Sequence, residues 1–378
     1  MATIARIDVF PLRLPITKGF TFASGTAGAV GSGAPHVLVK ITDSDGAIGW
    51  GECRPVPQWS YETLETVTTT LRNYLAPALI GLDVTDRHGL HRRMFTAIGR
   101  GPSTGQPIAK AAIDHALHDL VARRAGVTLR EYLGGSKSRN TFQLSYTLTG
   151  HTRADIESDM RPAQENGFVH FNFKAAVDPK TDIEVAETVR RVGGPECFVW
   201  ADANQGFNLH NARRVAEDLR KAGADLLEQP LPADQFQLMR QLRGATTIPL
   251  AIDEASVSPA DFFLYAAERL VDYLVIKLTR SGGIWPTLQQ ISTAQAAGLG
   301  LVVSGLTDGF LTKLSAINVA SVYGVDKPIA MNGSQFMDES AIFPQKGEFE
   351  KGGTVHLPDA PGVGIEPDEK AMKRFLAD

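Results

Sequence analysis

FVHFNFK (168–174), CFVWAD (197–202), ADLLE (224–228), IPLAID (248–253) and VDYLVIK (271–277) decide how this chain folds. Each is a short apolar run with the length and the β-branched or aromatic content of a buried strand. Each ends on an ionisable residue: Lys174, Asp202, Glu228, Asp253 and Lys277. Their spacing of about 25 residues, with helix-like stretches between, is that of the βα unit of a parallel barrel. In such a barrel the C-terminal ends of the strands open onto one face. Three carboxylates on consecutive strands, with a lysine on the strand to either side, should therefore meet in one pocket. Three hard oxygen ligands suit Mg²⁺, which keeps positions for water or substrate oxygens.

Outward from that stretch the same alternation continues. FQLSYTL (142–148) reads as the first barrel strand and LGLVVS (299–304) as the seventh. Helices are expected over 152–166, 180–193, 208–222, 234–243, 258–269, 283–298 and 310–322, and a short eighth strand near Pro328–Met331 would close the ring. The sequence thus predicts an α/β protein with a parallel TIM-type βα barrel over 129–330. Residues 1–128 read as an α+β front domain, and 331–378 as a segment returning to it. In the front part, IARIDVFPLRL, HVLVKITD and AIGWGEC make an antiparallel meander turned at Asp45-Gly46. Helices follow over 60–80, 84–99 and 106–125, the first begun by Ser60 and the second by Asp83. The stretch 17–35 is rich in glycine. A dinucleotide-loop reading of Gly28, Gly31 and Gly33 fails because no helix follows, so it is expected to be a mobile loop beside the site. His115 and His118 lie three apart on one helix without further ligands, and packing explains them more simply than a metal.

Composition narrows the function. With 43% hydrophobic and 21% charged residues among 378, this is an ordinary globular chain, and a net charge of −4 gives no basic field for nucleic acid. No run approaches the length of a membrane span, and MATIARIDVF lacks the apolar core of a signal peptide. Two cysteines, Cys53 and Cys197, exclude a disulfide framework. The expected location is the cytoplasm and the expected partner a small carboxylate, with no nucleic acid and no membrane.

AKAAIDHALHDL (109–120), YLGG, FNFK, DANQG, LEQPL, AIDEA, IKLTRSGG and VGIEPDE resemble, in order and spacing, the enolase superfamily in its muconate lactonizing enzyme (cycloisomerase) subgroup. The resemblance spans nearly the whole chain. It implies an α+β capping domain, here 1–128, on a modified (β/α)7β TIM-type barrel, together with Mg²⁺ on Asp202, Glu228 and Asp253, Lys174 and Lys277 on opposite sides of a substrate, and a homo-oligomer. The chemistry is consistent with this: the proton α to a carboxylate is very weakly acidic, and a divalent cation on the carboxylate oxygens stabilises the enediolate that forms. A partly desolvated lysine near both the cation and Lys277 should have its pKa lowered towards neutrality, which would make Lys174 the base on one face and Lys277 the acid or base on the other. Two bases permit racemisation or epimerisation; one base and one acid permit β-elimination. In cycloisomerases a lysine can serve as a cation alone, and a binding barrel without catalysis is the remaining alternative.

One departure bears on substrate. The subgroup's Lys-x-Lys is Asn172-Phe173-Lys174 here, which removes a positive charge and disfavours a dianion such as muconate. With KLTRSGG, this is nearest in pattern to hydroxyproline-betaine epimerases and cis-3-hydroxyproline dehydratases. Asn204 is expected to support the metal ligands and Asp308 to face the substrate. Trp59 and Tyr61 are candidates to pack on an amine by cation–π contact. Arg280 is read as a structural pair for a carboxylate.

Overall fold

Apolar runs buried on both faces pair in parallel, and seven of them do so here in chain order: Ser145–Leu148, His170–Lys174, Val199–Asp202, Leu226–Glu228, Leu250–Ile252, Tyr273–Ile276 and Gly300–Val303. The computed structural model describes residues 1–377 apart from 24, 29, 100–103, 136 and 137, and not the side chains of 20, 26 and 27. Parallel bridges from Ile329 to Leu144 and from Ala330 to Ser304 place the Pro328–Met331 stretch between the two outer strands and complete the ring. Alternate residues divide between two sides. Trp200, Leu226, Ala251, Val275, Val302 and Ala330 form their own cluster in the interior. Their neighbours Ala201, Leu227, Leu250, Ile252 and Leu274 pack outwards in the main core.

The surrounding helices follow the expected periods. Leu209–Lys221 buries Ala212, Val215, Ala216 and Leu219, a single face at i, i+3, i+4 and i+7, and Asn208 caps it by accepting the Asn211 N–H at 2.9 Å. Among the described residues, no helix is long and apolar enough to cross a membrane.

The antiparallel meander is present as Ile4–Pro15, Gly33–Asp43 and Ile48–Cys53. The helix Pro107–Arg124 lies directly on its third strand. That approach needs glycine: a Cβ at Gly51 would lie 2.0 Å from the Ala112 carbonyl oxygen, and one at Gly49 2.3 Å from that of Ala116. His115 and His118 are buried in this helix, their Nδ1 atoms paired with the main-chain oxygens of Glu52 and Asp114, as packing residues should be.

Three local expectations differ. The first capping helix does not start at Ser60. Pro57–Ser60 is a single turn closed by Tyr61 at φ +56°, and a new helix begins at Leu64 under a Thr63–Thr66 capping box. The next helix starts at Arg87 with Asp86, not Asp83, as its cap. Within 17–35, Phe20–Phe22 pairs with Gly25–Ala27 as a hairpin, and Gly33 already belongs to the second long strand; residues 24 and 29 lie outside the described part. Past the barrel the chain returns to the meander: Leu376 bridges Leu12, and the N–H groups of Arg13 and Ala377 bond to Phe375 and Pro11.

Candidate active site

The barrel register sets the site. Lys174 stands opposite Asp202, Asp202 opposite Glu228, and Glu228 opposite Ala251, two residues before Asp253. The strands stop there because the next residues turn sharply: Asn204, Gln205 and Gln229 all have positive φ, at 40°, 68° and 36°. Such strain in non-glycine residues gathers where a site over-determines the backbone. Side chains hold the turns. Asn204 donates from its main chain to Asp202 Oδ1 at 3.0 Å and from Nδ2 to Glu254 at 3.1 Å.

One pocket collects Lys174, Asp202, Glu228 and Lys277 with Trp59, Asn172, Asn204 and Arg280. Its cavity is about 20 Å³, room for one water or one metal ion. Lys174 Nζ donates to Asp202 and Lys277 Nζ to Asp253, each at 2.6 Å. Among the described residues no three His, Cys, Asp or Glu side chains already stand as a cation cage. Asp202 and Asp253 turn towards the lysines, and Asp253 sits behind the pocket wall under Lys277 and Arg280.

The electrostatics show what the cluster lacks. Burial, then the charges of Asp202 and Asp253, push the Glu228 carboxyl well above its usual range. Burial and then Asp253 push Glu254 up to about 7. Burial works against the Asp253 carboxylate too, but Arg280 and Lys277 outweigh it and hold its pKa low. Lys277 is under opposing influences. Burial lowers its pKa, yet Asp253, with Glu228 and Glu254, raises it on balance above the ordinary lysine value. The carboxylates keep it protonated until something else neutralises them.

A hard cation fits this donor set. Glu228 Oε1, Asn204 Oδ1 and Glu254 Oε2 are buried oxygens that accept no hydrogen bond, each a penalty of about 1–3 kcal/mol that oxygen-preferring Mg²⁺ relieves, while Asp253 Oδ1 has only the Arg280 Nε ion pair at 3.3 Å.

The remaining candidates fall on both sides of the wall. Asn172 lines the pocket with its amide engaged, accepting from Thr147 Oγ1 at 2.8 Å and donating to Ser145 Oγ at 3.0 Å. Trp59 lines it, 5.8 Å from Lys174 Nζ. Tyr61 does not: it is 59% exposed, because its left-handed φ turns the chain outwards after the Pro57–Ser60 turn. Asp308 does not line the pocket. It is buried behind Gly305, bonded to Thr279 Oγ1 and the Leu306 N–H, both at 2.8 Å. The sequence reading missed Asn332, Thr307 and Ser304 in the wall, for which the positions just after the last two strands were the available signal. It also missed Gln229, whose Oε1 accepts the Asp253 N–H at 3.0 Å and the Ala255 N–H at 3.2 Å.

Residues 155–371 match the enolase C-terminal domain-like model, and 8–134 match the mandelate racemase / muconate lactonizing enzyme N-terminal domain. The chain belongs to the mandelate racemase / muconate lactonizing enzyme family. It is 30% identical over 374 residues to a chloromuconate cycloisomerase of Cupriavidus necator, covering 98% of this chain and 96% of that one. It is 26% identical to the N-succinyl-L-Arg/Lys racemase of Bacillus cereus, over 98% and 97% of the two chains. The solved structure of N-succinyl Arg/Lys racemase from Bacillus cereus superposes with a TM-score of 0.90 at 26% identity, covering 100% of this chain and 98% of that one. The L-Ala-D/L-Glu epimerase of Bacillus subtilis, solved with substrate, gives 0.87 at 26%, over 97% and 99%.

Proposed function

We propose that this enzyme removes the proton α to a carboxylate and returns one to the opposite face, as a racemase or epimerase of an amino-acid or proline/betaine-type carboxylate. The observation carrying this is that two lysines, Lys174 and Lys277, enter one pocket from strands separated by the three that bear Asp202, Glu228 and Asp253. Those carboxylates would hold Mg²⁺, which when bound supplies positive charge for the substrate carboxylate as it becomes an enediolate. Neutralising the acids removes what keeps Lys277 protonated, so one lysine can take the α-proton at Nζ while the other delivers its own. Asn172 keeps its part of the wall neutral, which favours a singly charged substrate over a dianion. The racemase and epimerase among the relatives belong to the same reaction class by name. Both cysteines are free and buried, which suits a reducing compartment such as the cytoplasm.

The test is a panel of amino acids, N-acyl amino acids, betaines and acid sugars incubated with enzyme and Mg²⁺ in D₂O and followed by NMR. Deuterium entering the α position with inversion is the expected result. Loss of the α-proton with release of water would reassign the enzyme as a dehydratase; ring closure of an unsaturated diacid added to the panel, with one solvent deuteron gained at the α carbon, would reassign it as a cycloisomerase.

A further inference from the structure

Arg280 follows Lys277 in the short helix Leu278–Ser281 and is only 6% exposed. Its guanidinium reaches two ways. Nη1 donates to the main-chain oxygen of Trp59 at 3.1 Å, and Nε and Nη2 lie 3.3 and 3.4 Å from the two carboxylate oxygens of Asp253. One side chain thus ties a turn of the capping domain to the end of a barrel strand. The turn has consequences of its own, since the Trp59 ring stands 5.8 Å from Lys174 Nζ and packs on Phe22 of the 20–27 hairpin at 4.7 Å between centroids.

Arg280 is itself held from the far side. Gly282 and Gly283 follow at φ +89° and +114°, and a Cβ on Gly283 would lie 2.4 Å from that of Asp114. Asp114, on the long capping helix, accepts the N–H groups of Ile284 and Trp285. The guanidinium is therefore delivered to a fixed place between cap and barrel. A planar fork can meet a carbonyl and a carboxylate at once, which a lysine's single ammonium at the same position does less well.

We propose that Arg280 is a positioning residue that fastens the Trp59 turn to Asp253, so that seating of the indole beside Lys174 and orientation of Asp253 are set together. For Asp253 this rests on the reading of that carboxylate as a cation ligand. The experiment uses the full chain with Arg280→Met and Arg280→Lys, each also made with Trp59→Phe so that Trp59 fluorescence is obtained by difference. Two readouts are taken: acrylamide quenching of Trp59 without metal, and Mn²⁺ affinity by electron paramagnetic resonance. Arg280→Met should make Trp59 more quenchable and weaken Mn²⁺ binding by about tenfold, the scale for losing a partner of a metal ligand. Arg280→Lys should recover most of the Mn²⁺ affinity yet leave Trp59 as quenchable as in Arg280→Met. Unchanged quenching in both variants, or Mn²⁺ affinity unmoved in Arg280→Met, overturns the coupling. If wild-type protein binds no Mn²⁺, the ligand reading of Asp253 fails, and quenching alone decides the clamp on Trp59. Should Arg280→Met fail to fold, the Lys variant's quenching decides it.

Discussion

Gln229 and Asp253 stand on successive turns of the barrel mouth, and the Gln229 side-chain oxygen accepts the Asp253 N–H at 3.0 Å. The same oxygen takes the Ala255 N–H, and Nε2 donates to the Leu231 carbonyl, so one amide fixes the backbone on both sides of a candidate ligand. Gln229→Ala would bury two N–H groups without an acceptor. We expect it to lower unfolding stability by about 2–4 kcal/mol in urea titrations and to weaken divalent-cation affinity; an unchanged affinity would show that Asp253 is held by other means.

The two lysines should be separable by stereochemistry. Lys174→Ala and Lys277→Ala are each expected to lose racemisation while keeping near-native circular dichroism. Each should still exchange the α-proton of the one enantiomer facing the remaining lysine. NMR of deuterium incorporation, run separately on the D and L substrates, reads this directly. Turnover surviving in both variants would dismiss the two-base scheme.

Chelation should report on both fold and activity. EDTA-treated enzyme is expected to be inactive and restored by Mg²⁺. Because the ion would bind only the folded chain, adding it at a hundred times its Kd should stabilise the fold by about 2.7 kcal/mol, visible as a rise in melting temperature. Full activity in rigorously metal-free enzyme would remove the cation from the scheme.

The pair His36–Glu52, in contact at 3.1 Å deep in the cap–barrel junction, makes a pH prediction of unusual form. Burial, then Arg54, lowers the His36 pKa from 6.5 to about 3, so alone it would add stability as pH rises from 3 to 6.5. Burial raises Glu52 from 4.5 to about 7, so alone it would remove stability as pH rises from 4.5 to 7. Between 4.5 and 6.5 the unfolded pair carries its one proton on the histidine and the folded pair carries it on the glutamate. Proton counts match and the pair contributes no slope there. Glu52→Gln should therefore make the protein lose stability as pH falls from 6.5, and His36→Gln should make it lose stability as pH rises from 4.5. Denaturant titrations across that range check the signs; parallel curves for both variants would refute the cancellation.

The barrel was legible because burial on two faces forces apolar runs, and the ionisable residue ending each run marks where burial stops. Lys174, Asp202, Glu228 and Lys277 needed only that pattern to be placed in one pocket. Tyr61 and Asp308 were misplaced for a different reason. The direction of a loop side chain depends on backbone angles such as the +56° at Tyr61 and on what packs behind it, here Gly305 in front of Asp308, and neither is written in local composition. Arg280 was correctly read as a carboxylate's partner, but its second contact lies on a turn 221 residues away, beyond any local pattern. The raised Lys277 pKa likewise follows from three acids brought together by the fold.

The joining of Leu376 to Leu12 bears on how the molecule is made. The first strand is an edge strand of its sheet; residues 81–83 bond its start, but Pro11–Arg13 are met by residues 375–377, which follow the whole barrel in the chain. That part of the edge therefore stays open until the chain beyond the barrel has folded back onto it. Removing the contacts of residues 375–377 would leave that stretch of strand free to pair with a neighbouring molecule.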